Sequence, residues 1–271
     1  MPMNPPSASP PPPKPRQLAA GISPLATATL RREGERLLVR RFQAVRLSRA
    51  RRPDLAAARE RPLVVYLNHV SWWDPLVCLQ LARQLLPGRR HYAPIAASAL
   101  AGESLFARLG FFPVDPGSAR GARRFLALAT QVLAQPDAVL WITAGGTLAD
   151  PRTRPVKAQA GLGHLAARLR HAVLLPLALE YPFWCAPLPE ALARFGEELA
   201  VEEAGMRARD WAEVLASRLE AAQDQLAAEA LARDESRFEV LAAAGTPGGA
   251  GGAGGAGVQS AWRRLRQLMG R

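Results

Sequence analysis

Asn68, His69, Ser71 and Asp74 are the residues of this chain whose types and spacing suit chemistry best. An imidazole changes charge near neutral pH and can take a proton from a substrate hydroxyl. A carboxylate five residues on can accept from one ring nitrogen and hold the tautomer. The second nitrogen is then free to act as a general base. A His beside an Asp is also an ordinary satisfied polar pair, so the surroundings carry the weight. Four polar groups stand within seven residues, directly after the apolar run Leu63-Val-Val-Tyr-Leu67.

A continuous apolar run of that length predicts a strand buried on both faces. Asp74 followed by Pro75 predicts a helix start, with the carboxylate capping free amides and Pro at the first helical position. One Asp74 oxygen is expected on those helix amides and the other on the ring N–H of His69. His69 then lies just past a strand end and Asp74 at the mouth of the next helix. In α/β sheets that edge is where ligands bind.

The rest of the chain supplies elements to hold this loop. Residues 24–50 predict a helix, with Leu30, Leu37, Leu38, Phe42, Val45 and Leu47 as its stripe and arginines around it. Such a helix suits a membrane surface or a place on the domain with a solvated basic face. Residues 75–86 predict a helix, 91–96 a strand, 100–109 a short helix and 111–114 a strand. Ser118 is a candidate N-cap for a helix to about Leu133. Residues 138–142 predict a strand, 161–169 a helix, and 172–179 a strand that Pro176 places at an irregular or edge position. Residues 190–241 predict helix throughout. The fold class expected is α/β: a central mixed, mostly buried sheet flanked by helices, with helical N- and C-terminal extensions.

Four segments are expected: a disordered Pro-rich tail over 1–23, a domain over 24–241, a Gly/Ala-rich linker over 242–257, and a basic amphipathic helix over 258–271. In the last, Val258, Trp262, Leu265 and Met269 share one helical face beside several arginines, which suits reversible membrane attachment or docking on the domain. With 271 residues there is ample length for one core. The net charge of +12 calls for an anionic partner: a membrane surface, a phosphorylated substrate or a nucleic acid. Nucleic acid fits poorly, because the aromatics stand in apolar runs and no recognition motif is present. The 2 cysteines, Cys78 and Cys185, are expected to be small buried hydrophobes in a reducing cytoplasm. Neither a membrane-spanning helix nor a signal peptide is expected, and no metal site is implied.

Two further stretches are candidates for binding. Arg120, Arg123 and Arg124 stand in the first turns of the helix after Ser118. Cations there oppose the helix dipole unless an external anion lies among them, so either a bound anion or an exposed basic helix end is expected. Gly145-Gly146-Thr147 follows the strand over 138–142, and paired glycines at a strand end let backbone amides approach a ligand.

The stretch Asn68-His69-x-Ser71-x-x-Asp74 resembles the first signature of the glycerolipid acyltransferase superfamily, which includes lysophosphatidic acid and glycerol-3-phosphate acyltransferases. The resemblance extends over about residues 60–180. Gly110-Phe-Phe-Pro-Val-Asp115 resembles the second signature, which binds the acceptor's phosphate. The family's Arg after that Asp is Pro116 here, which makes Arg120 a displaced candidate. Gly146 and Thr147 match the third signature, but its Glu falls on Gly145 and its Arg on Leu148. That departure points to a different acceptor or a weakened enzyme, with Arg152, Arg154 and Lys157 either replacing the lost charge or forming a solvated loop. The strand over 172–179 resembles the fourth signature, which borders the acyl pocket, and Tyr181-Pro-Phe-Trp184 continues its apolar wall.

The resemblance implies an O-acyltransferase with His69 as base and Asp74 as its orienter. Asn68, Ser71, Arg120, Arg123, Gly145, Gly146 and Thr147 are then expected at the substrates. It implies an acyl thioester, on coenzyme A or an acyl carrier protein, as co-substrate and no separate cofactor. A lipid acceptor, a membrane surface and a place at the inner face of the cytoplasmic membrane follow. A degenerate relative that binds lipid without turnover is the alternative, and a basic nucleic-acid-binding protein a more distant one.

Overall fold

The computed structural model describes residues 22–53, 60–100, 104–115, 117–202 and 205–243. The expected N-terminal tail, Gly-rich linker and C-terminal helix lie outside these residues, apart from the few at their borders, as does Pro116. Helix α1 (Pro24–Arg41) opens with Ser23, whose hydroxyl accepts from the Ala26 amide, and leads into β1 (Ala44–Ser48). Then come β2 (Leu63–Leu67), α2 (Asp74–Leu85) and β3 (Arg90–Ala96). Two short turns, α3 (Ala97–Leu100) and α4 (Ser104–Ala107), precede β4 (Phe111–Val114). Helix α5 (Ala119–Leu133), β5 (Ala138–Thr143), α6 (Ala160–Ala166) and β6 (Ala172–Glu180) follow. The chain continues through β7 (Ala191–Phe195), β8 (Leu199–Val201), α7 (Ala208–Ala232) and β9 (Phe238–Ala243).

Among the described residues nine strands join one mixed sheet in the order β4-β3-β5-β2-β6-β7-β1-β9, with β8 also on β6. The fold is α/β, as expected. The first five strands of that order are parallel, and β7 turns antiparallel on β6. Strand β2 is central, flanked by β5 and β6, and none of its residues is more than 3% exposed. Each such apolar side chain contributes about 1.5–3 kcal/mol by its burial. A slip of one residue would exchange the two buried faces, so the register of β2 is firm. The loop that carries His69 is anchored to that strand.

One face packs against α1 and α2 through Leu63, Val65 and Leu67. The other packs against α5, α6 and α7 through Val64 and Tyr66. In α1, Leu30 and Leu38 are buried, and Gly34 lies so close to Leu76 that an added Cβ would come within 2.9 Å of it. The helix is therefore seated on α2, and its apolar stripe is used by the domain.

Two expected helices are corrected. The helix over 24–50 ends at Arg41, and Val45 and Leu47 belong to β1, which fills the sheet between β7 and β9. The helix over 190–241 is confined to α7, with β7, β8 and β9 around it. Ala-, Leu- and Arg-rich sequence favours helix locally, but these strands gain more by completing the sheet. Pro176 takes the irregular position of the two expected for it: it lies in a central strand, at a break in the pairing along one side of β6. Its carbonyl accepts from Gly196, so its missing N–H faces the junction where β7 ends and β8 begins, and no ladder bond is lost there. Cys78 is buried as expected, whereas Cys185 is exposed.

Candidate active site

Leu67 is the last residue of β2, and Asn68 extends the ladder beyond it with its side chain. Its amide group donates to the Leu179 carbonyl and accepts from the Leu179 amide, both at 2.9 Å. Both polar ends of Asn68 are thus used to strap the loop to β6, and it does not line the cavity described below. The His69 carbonyl accepts from Ala149 at 2.8 Å, which ties the loop to the segment after β5.

His69 Nδ1 lies 2.6 Å from Asp74 Oδ2. An ionised carboxylate only accepts, so Nδ1 carries the proton and Nε2 is left with its lone pair. Asp74 is buried and richly held. Oδ2 also accepts from Val70 N at 2.9 Å and Ser71 N at 3.1 Å, and Oδ1 accepts from the Tyr181 hydroxyl at 2.7 Å. The expected helix cap is thus corrected. The carboxylate folds back onto amides of its own loop, and the helix amides take no side-chain cap.

Ser71 shapes the loop. Its Oγ accepts from Trp73 N at 3.3 Å and its carbonyl accepts from Asp74 N at 3.1 Å. Tyr181 is fixed from behind by Phe42, whose ring centroid is 5.5 Å away, and Phe42 also meets Trp73 edge-on at 5.1 Å. Burial and the adjacent Asp74 carboxylate push the Tyr181 hydroxyl well above its ordinary value, so it stays a donor. Sequence reading placed Tyr181 only in an apolar wall. Its hydroxyl acts on a residue 107 positions away, and no local pattern signals that.

His69 opens onto a cavity of about 540 Å³. One part runs between the sheet and α1–α2, past Cys78, Leu79 and Trp141 to His91 and Arg31. Another crosses the strand ends to Gly146 and to Ser118 and Gly121 at the start of α5. Ser118 caps α5 as expected, accepting from Gly121 N at 2.9 Å. Gly121 is required there, because a Cβ would fall 1.8 Å from the Asp115 carbonyl. Of the other expected substrate residues, Gly146 lines the cavity, while Gly145 and Thr147 are exposed beside it. Gln159 donates to the Gly145 carbonyl at 3.1 Å and covers Gly146, whose φ of 69° suits glycine. Arg120 and Arg123 are exposed just outside the Ser118 rim, with no carboxylate partner among the described residues, and Arg124 stands 3.9 Å from Asp115. Arg152 and Arg154 do not replace the absent Arg of the third signature, because they pair with Glu180 and Asp224.

His91 lines the same cavity. An indole N–H can only donate, and Trp141 Nε1 lies 3.1 Å from His91 Nδ1, so that nitrogen accepts and Nε2 faces the Leu86 carbonyl as donor. Burial first, and then the Arg31 guanidinium, hold this imidazole down to about 4, so it is neutral at pH 7. A His held neutral in the fold contributes stability that is complete above its unfolded value of about 6.5 and is lost as pH falls through about 4. The swing is about 3 kcal/mol over that window. Urea midpoints should drop between pH 7 and pH 4.5 in the natural protein and drop less in His91→Gln. Equal drops would mean that another group carries the acid sensitivity.

A family model described as Acyltransferase matches residues 40–180. No curated protein matches the chain.

Proposed function

The chain belongs to the acyltransferase family, and on that premise we propose that it moves a fatty acyl group from an acyl thioester to a hydroxyl of a lysophospholipid-like acceptor. The thioester is carried by coenzyme A or an acyl carrier protein. The observation that carries this reading is the His69–Asp74 pair opening onto a largely apolar cavity. Nε2 of His69 takes the proton of the acceptor hydroxyl as its oxygen bonds to the thioester carbonyl carbon. The carbonyl C–S bond then breaks, and the imidazolium returns its proton to the leaving thiolate. Asp74 stabilises the imidazolium formed between these steps. Backbone amides around Gly145, Gly146 and Thr147, at the end of β5 beside the cavity, would suit the acceptor or the developing oxyanion. Arg120 and Arg123, at the rim beside Ser118, suit an acceptor phosphate.

The loops at this end of the sheet also suit a membrane surface. Trp72 follows β2, Leu148 follows β5 and is 44% exposed, and Phe183 follows β6 and is 64% exposed. With a net charge of +12, an anionic leaflet would hold the mouth of the cavity against the lipid that it uses. On this reading the protein works at the inner face of the cytoplasmic membrane.

Thiol release from a long-chain acyl-coenzyme A, with and without lysophosphatidic acid, a lysoaminolipid or a glycolipid acceptor, tests the reading. Release that depends on one acceptor, with the acylated lipid formed, is the expected result. Lipid binding without release in any mixture, including acyl carrier protein donors, would identify a binder that does not turn over.

A further inference from the structure

Strands β3 and β5 run as neighbours only as far as Tyr92 and Leu140. Beyond that rung β3 pairs only with β4, and β5 only with β2. The cause is in the sequence. The next ladder bond would run from the amide of residue 94 to the Trp141 carbonyl, and residue 94 is proline, which has no N–H. The ladder stops, and the sheet opens along the two strands.

Register shows what faces the opening. The Arg90 amide donates to Asp137, beside β5, while the Ala93 amide donates to Gly110, beside β4. Pro94 and Ala96 therefore turn their backbone towards β5. Ala144 donates to Leu67 on β2, so Trp141 and Thr143 turn theirs towards β3. The carbonyls of Pro94 and Trp141 and the amides of Ala96 and Thr143 confront one another without a ladder between them. All four residues line the same cavity as His69.

An all-carbon chain lying here would cover these groups and leave them without partners, which is unfavourable. An extended ligand with its own amides would satisfy them, in the way that a peptide adds to an open sheet edge. The acyl donor has such a segment. The pantetheine arm of coenzyme A and of acyl carrier proteins holds two secondary amides in an extended chain beside the thioester sulfur. We propose that the opening between β3 and β5 takes this arm, with its amides bonded to the two strand edges and its thioester at His69. The acyl chain then occupies the apolar part that runs to His91. This inference rests on the protein being a thioester-dependent acyltransferase, as proposed above.

The test uses three unreactive ketone analogues of a dodecanoyl thioester, in which methylene replaces sulfur. They carry the full pantetheine arm, the N-acetylcysteamine portion with one amide, or a plain ethyl group with none. Dissociation constants are measured on the full chain by calorimetry, and turnover is measured separately with the matching thioesters. Binding should weaken by about 10-fold for each amide removed, the worth of a hydrogen bond or two. Ala96→Pro removes one edge amide, and its N–H is not used by β4. It should cut the preference for the pantetheine analogue over the ethyl analogue by about 10-fold. Pro94→Ala restores the missing donor to β3 and should close the opening, with a similar loss. Equal binding of the three analogues, or an undiminished preference in both variants, would overturn the proposal. The same series on His69→Ala keeps the two readings apart: turnover that survives there removes the acyl-transfer mechanism, whereas the binding series still decides the place of the arm.

Discussion

His69→Ala should lower acyl transfer by about 10²–10⁴-fold, the usual worth of a positioned general base, and leave the fold intact. Nε2 of His69 has no structural duty among the described residues, and the ring's one bond, through Nδ1, is to Asp74. Asp74 would keep its bonds from Val70, Ser71 and Tyr181, so the buried carboxylate is not orphaned by the substitution. The loss should fall on kcat more than on KM, because the base acts on the proton in flight and not on the bound lipid. The measurement is steady-state transfer with a soluble short-chain thioester, beside thermal unfolding of the same sample. Near-full turnover with an unchanged melting profile would mean that His69 is not the base.

Asp74→Asn should reduce kcat by about 10²-fold or more at almost constant structure. The amide can keep its oxygen where Oδ2 now accepts from His69, Val70 and Ser71. Its NH₂ group then faces the Tyr181 hydroxyl, which can accept. What is lost is the negative charge that stabilises the imidazolium. Tyr181→Phe removes only one donor from that carboxylate and should cost about 10-fold, the scale of one hydrogen bond to a charged group. An Asp74→Asn protein as active as the natural one would break the assigned pairing. A Tyr181→Phe protein with an unchanged kcat but a lower melting temperature would make Tyr181 a packing residue and not a positioning one.

How much of this site is readable from the chain depends on sequence distance. His69 and Asp74 lie five residues apart, and the loop that joins them has too few residues to place them far from each other. The apolar run before them and the Asp-Pro pair after them also mark the strand and the helix in which they end and begin. The helix after Ser118 is legible for the same reason, since its cap and its apolar spacing are both local.

Other features are set by partners far along the chain. Val45 and Leu47 continue the spacing of α1, yet they form a strand because β7 and β9 supply neighbours on both sides. Asn68 has the look of a ligand group, and its role as a strap needs Leu179 beside it. Arg152 and Arg154 stand near the site in sequence, and Glu180 and Asp224 engage both.

By itself the sequence determined an α/β fold, the pairing of His69 with Asp74, and the end of the sheet at which they stand. Each of these follows from contacts among residues within one strand, one loop or one helical turn. The tertiary structure decided which atoms hold Asp74, where the cavity runs and where the sheet opens. Those depend on strand order and on backbone hydrogen bonds between segments tens of residues apart. A proline such as Pro94 announces a missing donor in the sequence, but which carbonyl goes without it is settled only when β5 is placed alongside.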